Sequence, residues 1–266
     1  KIENGARFVI GQHGGHYGNA HWSSNEMHEI KVADRYFSWG WEDGETPSVI
    51  SLSSVQLAGA QKRIRFDPQG GILWLGMSRP RYLGWMLSCT MGSEMLEYID
   101  NQKIFLSALG PEVQGILEMR LFHTDYGWGV KERLSETFPD LCFNSMEEPM
   151  YQQLCKNRLC IATYNGTTLL ETISANFPTL GFWDFDQWKI RGSARPYFDD
   201  LLEVGIWHDN PESAAKKVNE IYEDPMSWWL SPEVQESKNR FCHRFARTSP
   251  SWLSEWKEAI LRIAGE

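Results

Sequence analysis

Three polar turns, each following an apolar run, carry most of the chemistry of this 266-residue chain. The run Leu159-Cys160-Ile161-Ala162 has the pattern of a strand buried on both faces in a parallel sheet. It turns through Thr163, Tyr164, Asn165 and Gly166 into a helix opened by Thr167 and Thr168, with Leu169, Leu170 and Ile173 along one face. A strand, a small polar turn and a helix together make an anion site. The free N–H groups of the first helical turn point at one spot, and the helix dipole adds partial positive charge there. Hydroxyls of Thr163, Thr167 and Thr168 can add donors. Glu171, one turn in, can accept from a sugar hydroxyl or cap the backbone. A plainer reading, in which Asn165 and Thr167 merely cap a helix, suits the segment equally.

Two further turns have the same setting. Ser78-Arg79-Pro80-Arg81 follows the apolar strand Gly71–Gly76, and His123-Thr124-Asp125-Tyr126-Gly127-Trp128 follows Leu117–Phe122. The carboxyl ends of parallel strands open on one edge, so the three turns can converge on a ligand there. Arg79 or Arg81 suits a phosphate held bidentately. Tyr126 and Trp128 offer faces for a base, and His123 and Asp125 can read its edge or a ribose hydroxyl. Taken singly, each has a bland reading, such as arginines in surface ion pairs of little worth. Their convergence favours nucleotide binding.

Four of the 7 histidines, His13, His16, His21 and His28, fall in the first 28 residues. His13 and His16 sit in a glycine-rich loop, Gly11 to Gly18, at the end of the apolar segment Ala6–Ile10. A histidine there suits a general base or a phosphate partner. As a zinc site His13-x-x-His16 lacks a third ligand at a recognised spacing. For His21 and His28, bonding to loop backbone is an equal alternative. Asp184-Phe185-Asp186 has the D-x-D spacing that can hold a divalent cation, but so short a motif is common by chance, and Asp186 reads as well as the cap of the turn after it. Trp228, Trp229, Trp252 and Trp256 suit core packing or domain docking better than a membrane surface, their region not being strongly basic.

The elements that must position these residues alternate between strand and helix. Strands are expected at Ala6–Ile10 (buried), Arg35–Trp41, Gly71–Gly76, Leu117–Phe122, Leu141–Phe143, Leu159–Ala162, Pro178–Trp183 and Val204–Trp207. Helices are expected over Ser23–Ala33 with Ser24 as cap, Ser93–Leu109, from Pro111, near Lys131–Thr137 and Met150–Cys155, from Thr167 to about Asn176, and over Ser193–Glu203, Pro211–Tyr222, Pro232–Ala246 and Ser249–Ile263. Glu42–Pro47 reads as a linker. The fold class is α/β, a Rossmann-like parallel sheet with flanking helices. Hydrophobic content of 42% and charged content of 23% are those of a globular protein. A net charge of -9 argues against nucleic acid as partner. Five scattered cysteines without a C-x-x-C pair suit a reducing, cytoplasmic compartment. The chain opens with Lys1 and runs almost directly into a strand, which leads us to expect further sequence before it.

Gly11-Gln12-His13-Gly14-Gly15, Asp34-Arg35-Tyr36-Phe37-Ser38-Trp39-Gly40, Ser78-Arg79-Pro80-Arg81, Asp125-Tyr126-Gly127-Trp128, Thr163 through Glu171 and Arg247-Thr248-Ser249 together resemble transferases of bacterial surface-carbohydrate (O-antigen and capsule) clusters. The resemblance runs in order over nearly the whole chain. In layout it is similar to glycosyltransferases of the two-Rossmann GT-B type, including capsule and lipopolysaccharide Kdo transferases. It implies a division into residues 1–45, the end of an acceptor-side Rossmann-like domain; residues 46–246, the nucleotide-sugar-binding domain; and residues 247–266, a C-terminal helix packing back on the first domain. It implies a CMP- or UDP-type sugar donor, a glycan or lipid-linked acceptor, no cofactor and no metal, and a position in the cytoplasm at the inner face of the membrane, with peripheral membrane association. His13 and His16 would be catalytic. Gln12, Gly14, Ser78, Arg79, Arg81, His123, Asp125, Tyr126, Asn165, Thr167, Thr168 and Glu171 would bind substrate. The alternatives are a nucleotide-sugar epimerase or hydrolase on the same fold, and a carbohydrate-binding module built on the 13 tryptophans.

Overall fold

The computed structural model describes residues 2–84, 86–144 and 147–265. The chain begins with β1 (Val9–Gly11), α1 (Ser24–Val32), β2 (Arg35–Ser38) and β3 (Val49–Ser51), which give a three-stranded parallel sheet in the order β1-β2-β3. Because β3 pairs with β2 (Tyr36 opposite Val49), this first sheet reaches Ser51, beyond the acidic turn at Glu42–Pro47. β1 is an edge strand and only partly buried, so the expectation of a buried strand at Ala6–Ile10 fails on burial and on length. The cap of α1 is Ser23, whose hydroxyl accepts from the Glu26 N–H; the expected cap, Ser24, is the first helical residue.

α2 (Val55–Arg63), absent from the sequence reading, leads into a second and larger unit. There follow β4 (Gly71–Leu75), α3 (Glu94–Ser107), α4 (Pro111–Gln114), β5 (Leu117–Arg120), α5 (Val130–Thr137), β6 (Cys142–Phe143), α6 (Met150–Leu154), β7 (Asn157–Ala162), α7 (Thr167–Ser174), β8 (Thr179–Phe182), α8 (Arg195–Glu203), β9 (Trp207–His208), α9 (Pro211–Ile221), α10 (Pro225–Trp229), α11 (Pro232–Phe245) and α12 (Trp252–Ala264). The six strands are parallel in the order β6-β5-β4-β7-β8-β9. That is the doubly wound arrangement, in which the chain goes out from β4 in one direction and restarts beside it with β7. The last strand lies at Trp207–His208, since Val204 and Gly205 are spent on the turn that ends α8.

Period-two alternation buries both faces of the central strands. Ile72, Trp74, Leu159 and Ile161 join the large core on one side, whereas Leu73, Leu75 and Cys160 pack with Ala60, Ile64, Leu154 and Phe177 on the other. At roughly 1.5–3 kcal/mol per fully buried large apolar side chain, these layers are the main force holding the edge of the sheet in place. α12 returns to the first sheet: Trp256 meets Phe37 edge-on and donates its indole N–H to the Ser53 carbonyl, while Ala259 and Ile263 pack on Phe37 and Leu52. Among the described residues no helix is long and apolar enough to cross a membrane. Three of the C-terminal tryptophans are packing residues: Trp229 is buried and donates to Asn176, Trp228 donates to the Val204 carbonyl, and Trp256 is bonded as above.

Candidate functional site

The switch point of the large sheet falls between β4 and β7, so the turns after these two strands form the two lips of one crevice. The turn after β5 joins them. Ser78 donates its hydroxyl proton to the Asp125 carbonyl (2.7 Å), Trp128 donates its indole N–H to the Arg79 carbonyl (2.6 Å), and Arg81 reaches the Gly127 carbonyl (3.0 Å). The three polar turns are therefore brought together on one edge, with a hollow of about 240 Å³ lined by Ser78, Phe122, Asp125 and Lys131 beside them.

The fourth component comes from the first unit. The loop after β1 crosses to the mouth of α7, where the Gly15 N–H donates to Thr167 Oγ1 at 3.1 Å. The approach is so close that a Cβ on Gly15 would lie 2.5 Å from the Gly166 carbonyl carbon and 2.6 Å from the Thr167 nitrogen. Buried polar side chains mount this loop. Gln12 accepts from the Trp39 N–H and the Trp41 indole and donates to the Gly14 carbonyl. Asn19 donates to the Gly15 carbonyl and accepts from Asn165. Glu26 accepts from the Gly18 N–H (2.6 Å) and from Arg191 (2.5 Å), and Arg191 also donates to the Ala20 carbonyl. Residues 20 and 23 form antiparallel bridges with Ile190 and Leu87.

Within this frame Arg79 is the notable group. It is half-buried with its guanidinium over the Trp188 ring, 5.7 Å from the centroid. Among the described residues no carbonyl or carboxylate accepts a hydrogen bond from that guanidinium and no ion pair takes it up. The Trp188 ring in turn lies 6.3 Å from that of Tyr164, in the turn before α7, and the Arg79 charge works against protonation of His16. The N-cap of α7 is Gly166, with no side-chain cap hydrogen bond, so neither Asn165 nor Thr167 caps the helix. Gly166 is required there, because a Cβ would lie 2.3 Å from the Tyr164 ring.

His16 is partly buried, its ring 4.6 Å from that of Tyr17. Burial, reinforced by the charges of Arg79 and His13, lowers its pKa from 6.5 to about 4, so it is neutral near pH 7. His13 is more exposed, and its nitrogen edge faces Tyr17 and Glu29.

Several residues read from the sequence as ligand groups are consumed by the fold. Thr163 is fully buried, donates to the Leu75 carbonyl and pairs with the Tyr98 hydroxyl, so it has nothing to offer an anion. Trp128 is buried, its N–H is taken by Arg79 and its face is covered by Arg81, so it is no platform for a base. The Gln12 side chain is wholly engaged in the loop. Asn165 is buried against Asn19, although its Oδ1 has no hydrogen-bond partner among the described residues. Asp125 accepts from the Gly129 and Val130 N–H groups and caps α5; burial works against the carboxylate, but four backbone N–H groups still hold its pKa below the usual range. Glu171 takes a hydrogen bond from Gln56. Gly14 packs on Tyr17. His123 and Tyr126 are exposed, both against Phe122, at the rim of the crevice. In the D-x-D segment it is Asp184, accepting from the Asp186 N–H, that closes the turn, not Asp186. Among the described residues no three His, Cys, Asp or Glu side chains are grouped as metal ligands. Glu26, Glu29, Tyr17, Asn19, Trp188 and Arg191 went unnoticed. Only the i, i+3 spacing of Glu26 and Glu29 on one helix hinted at a shared inward face.

A parallel α/β protein with a polar crevice at the switch point of its sheet is the class defined by fold and site. Residues 1–260 match the model of the LIC12162 family transferases, and the chain belongs to that family. No curated protein matches it. Among solved structures, it is distantly similar to the wall teichoic acid polymerase TagF, at 10% identity over 96% of this chain and 67% of that one with a TM-score of 0.43. It is likewise similar to an α,α-trehalose 6-phosphate synthase from Burkholderia multivorans (12% identity, 99% and 67% covered, TM-score 0.49) and to a UDP-forming trehalose-phosphate synthase from Burkholderia vietnamiensis (11%, 98% and 70%, 0.49).

Proposed function

We propose that the chain is the donor-binding and catalytic part of a GT-B-type glycosyltransferase. It would transfer a sugar from a CMP- or UDP-type donor to a glycan or lipid-linked acceptor of a bacterial surface polysaccharide. One observation carries the reading: a half-buried Arg79, its guanidinium with no hydrogen-bond or ion-pair partner among the described residues, stands in the turn after β4, and the N-terminus of α7, with no side-chain cap, follows the neighbouring β7 at the switch point of a doubly wound sheet. In glycosyl transfer an acceptor oxygen forms a bond to the anomeric carbon as the bond from that carbon to the donor phosphate breaks. The phosphate leaves with the electron pair. Arg79, the α7 N–H groups and the hydroxyls of Thr167 and Thr168 stabilise that charge from fixed positions, which needs no reorganisation at the moment of reaction.

The acceptor's proton goes to His16, the neutral imidazole next to Arg79. Burial is the main cause of its low pKa and the Arg79 charge a lesser one, which a phosphate bound at Arg79 would offset. Ser78, Arg81, His123 and Tyr126 line the side of the crevice where the nucleoside lies, and Glu171 faces the donor hydroxyls. The five free cysteines suit a cytoplasmic location, where surface-glycan acceptors present themselves at the inner face of the membrane.

Titration calorimetry with CMP, UDP and GDP tests the reading. At least one nucleotide binds the parent, and Arg79→Ala weakens it by roughly tenfold or more, as expected for a charge-assisted phosphate contact. Equal binding by parent and Arg79→Ala refutes the assignment. Binding of free sugars with no nucleotide binding would instead favour a carbohydrate-binding module.

A further inference from the structure

We propose that Trp188 is a positioning residue for Arg79: its ring carries the guanidinium and, through Tyr164, ties it to the N-terminus of α7. The value of this to binding rests on the reading of the crevice as an anion site, whereas the contacts themselves do not.

Arg79 is held at two points. Its carbonyl accepts from the Trp128 indole N–H, which fixes where the side chain starts. Its guanidinium lies over Trp188, with Cζ 5.7 Å from the ring centroid, which fixes where it ends. A guanidinium within about 6 Å of an indole face is attracted by the negative face of the ring, more strongly where water is kept out. Other arginines over aromatic rings are also tied by a hydrogen bond: Arg81, over Trp128, donates to the Gly127 carbonyl, and Arg191, over Trp41, donates to Glu26. The Arg79 guanidinium has no such second tie among the described residues. The ring holds it in place and leaves every N–H of the fork free for a ligand.

Trp188 is itself firmly mounted. It is 2% exposed, and its N–H donates to the Asp184 carbonyl at 2.9 Å. Before it, the Gln187 amide is bonded to Thr90 and Glu97 of the large unit. After it, the Lys189 carbonyl accepts from the His21 N–H at 2.8 Å and Ile190 bridges to Ala20, both in the segment that follows the histidine loop. The indole also neighbours the Tyr164 ring, 6.3 Å away and tilted by 35°. Tyr164 in turn lies so close over Gly166, the N-cap of α7, that a Cβ there would sit 2.3 Å from it. Guanidinium, indole, phenol and helix end thus form one packed row. A shift of Trp188 would move the Arg79 charge relative to the α7 N–H groups that share its phosphate.

NMR reads the guanidinium directly. The Arg79 Nε–H signal, assigned by its loss in Arg79→Lys, lies upfield in the parent because an indole face shields what stands over it. In Trp188→Leu it moves downfield, and in Trp188→Phe, which keeps a smaller ring, it moves part of the way. Calorimetry uses UDP or CMP, whichever the parent binds. Affinity falls about fivefold in Trp188→Leu, as for a half-buried cation–π contact, and about twofold in Trp188→Phe. In an Arg79→Ala background Trp188→Leu costs no further affinity, since a ring without its cation has nothing to position. A folded Trp188→Leu protein whose Arg79 signal stays put overturns the proposal. So does undiminished affinity, or an equal loss with and without Arg79, the result expected of a merely structural tryptophan. Should Trp188→Leu not fold, an unmoved signal in Trp188→Phe overturns it as well. A signal that moves while the parent binds neither nucleotide removes the anion-site reading and leaves the positioning role intact.

Discussion

Gly15→Ala tests whether the two units share one site. The added methyl would lie 2.5 Å from the Gly166 carbonyl carbon, 2.6 Å from the Thr167 nitrogen and 2.7 Å from the Gly166 oxygen. All three are backbone atoms of the turn that opens α7, so no side chain can swing aside. The loop must lift, and lifting it breaks the Gly15 N–H to Thr167 hydrogen bond. Overpacking of this kind costs about 1–3 kcal/mol and the lost bond about 1 kcal/mol, roughly 2–4 kcal/mol together. For a chain of this size that is a fall in melting temperature on the order of 4–16 °C. The loop carries His13 and His16, so nucleotide affinity should fall with stability. Gly44→Ala is the control, because a Cβ there meets nothing within 4 Å. Differential scanning calorimetry and nucleotide titration of parent, Gly15→Ala and Gly44→Ala read both effects. If Gly15→Ala melts and binds like Gly44→Ala, the loop does not rest on α7 in solution and the shared site is wrong.

Three further outcomes follow from individual groups. His208 is buried, its Nε2 donating to the Gly205 carbonyl and its Nδ1 hydrogen-bonded to the Ser213 hydroxyl, and burial lowers its pKa from 6.5 to about 4, with the charge of Lys217 adding and the Gly205 carbonyl opposing. The unfolded chain thus binds a proton between pH 6.5 and 4 that the folded one does not, so stability falls as pH falls through that window, by about 3 kcal/mol at its foot; a melting series over this range should be shallower for His208→Gln, and an unchanged slope would count against it. Asp125→Ala removes the cap of α5 and should cost about 1–2 kcal/mol near neutral pH. The Asp125 pKa is lowered in the fold, so that difference is present above the unfolded carboxyl pKa and closes as pH falls through the folded one; a pH-independent difference would deny the cap. Glu26→Gln leaves Arg191 without its carboxylate at a buried contact and should cost about 3–5 kcal/mol in denaturant unfolding, whereas a loss below about 1 kcal/mol would make the pair incidental.

Strands whose core faces are apolar on both sides could be read straight from the sequence, because burial on two faces leaves a continuous run: Gly71–Leu75 and Asn157–Ala162 are examples. Helices opened by proline, such as Pro211–Ile221, were equally plain. β3 and α2 were missed for opposite reasons. β3 is three residues long and partly exposed, too short for any period to show. α2 is ordinary in composition, and its one clear signal, Ser54 capping the Leu57 N–H, was overlooked. At the site, sequence could say which turns meet, since parallel strands put their carboxyl ends on one edge. It could not say which polar groups the fold would use up. Thr163 stands in the same turn as Thr167 and Trp128 in the same turn as Tyr126, and only the neighbours they find, Leu75 and Tyr98 for one and Arg79 for the other, remove them from the surface.

How the glycine loop is mounted bears on how the crevice can open. A hinge between two units usually runs through exposed backbone with few shared bonds. Here the loop of the first unit is tied to the second by the Asn165–Asn19 amide pair, by Arg191 on Glu26 and the Ala20 carbonyl, and by the Gly15 N–H on Thr167. Asn19, Glu26 and Asn165 are all buried. Swinging the first unit away would exchange these bonds for bonds to water at a net cost of about 0.5–1.5 kcal/mol each, and about 1.5–3 kcal/mol for the charged pair. On the proposed function, substrates would enter past the exposed rim at Phe122, His123 and Tyr126, and the groups proposed to meet the phosphate would be in place before it arrives. Preset charge of this kind is what a transferase relying on side chains and a helix end for its electrostatics would require.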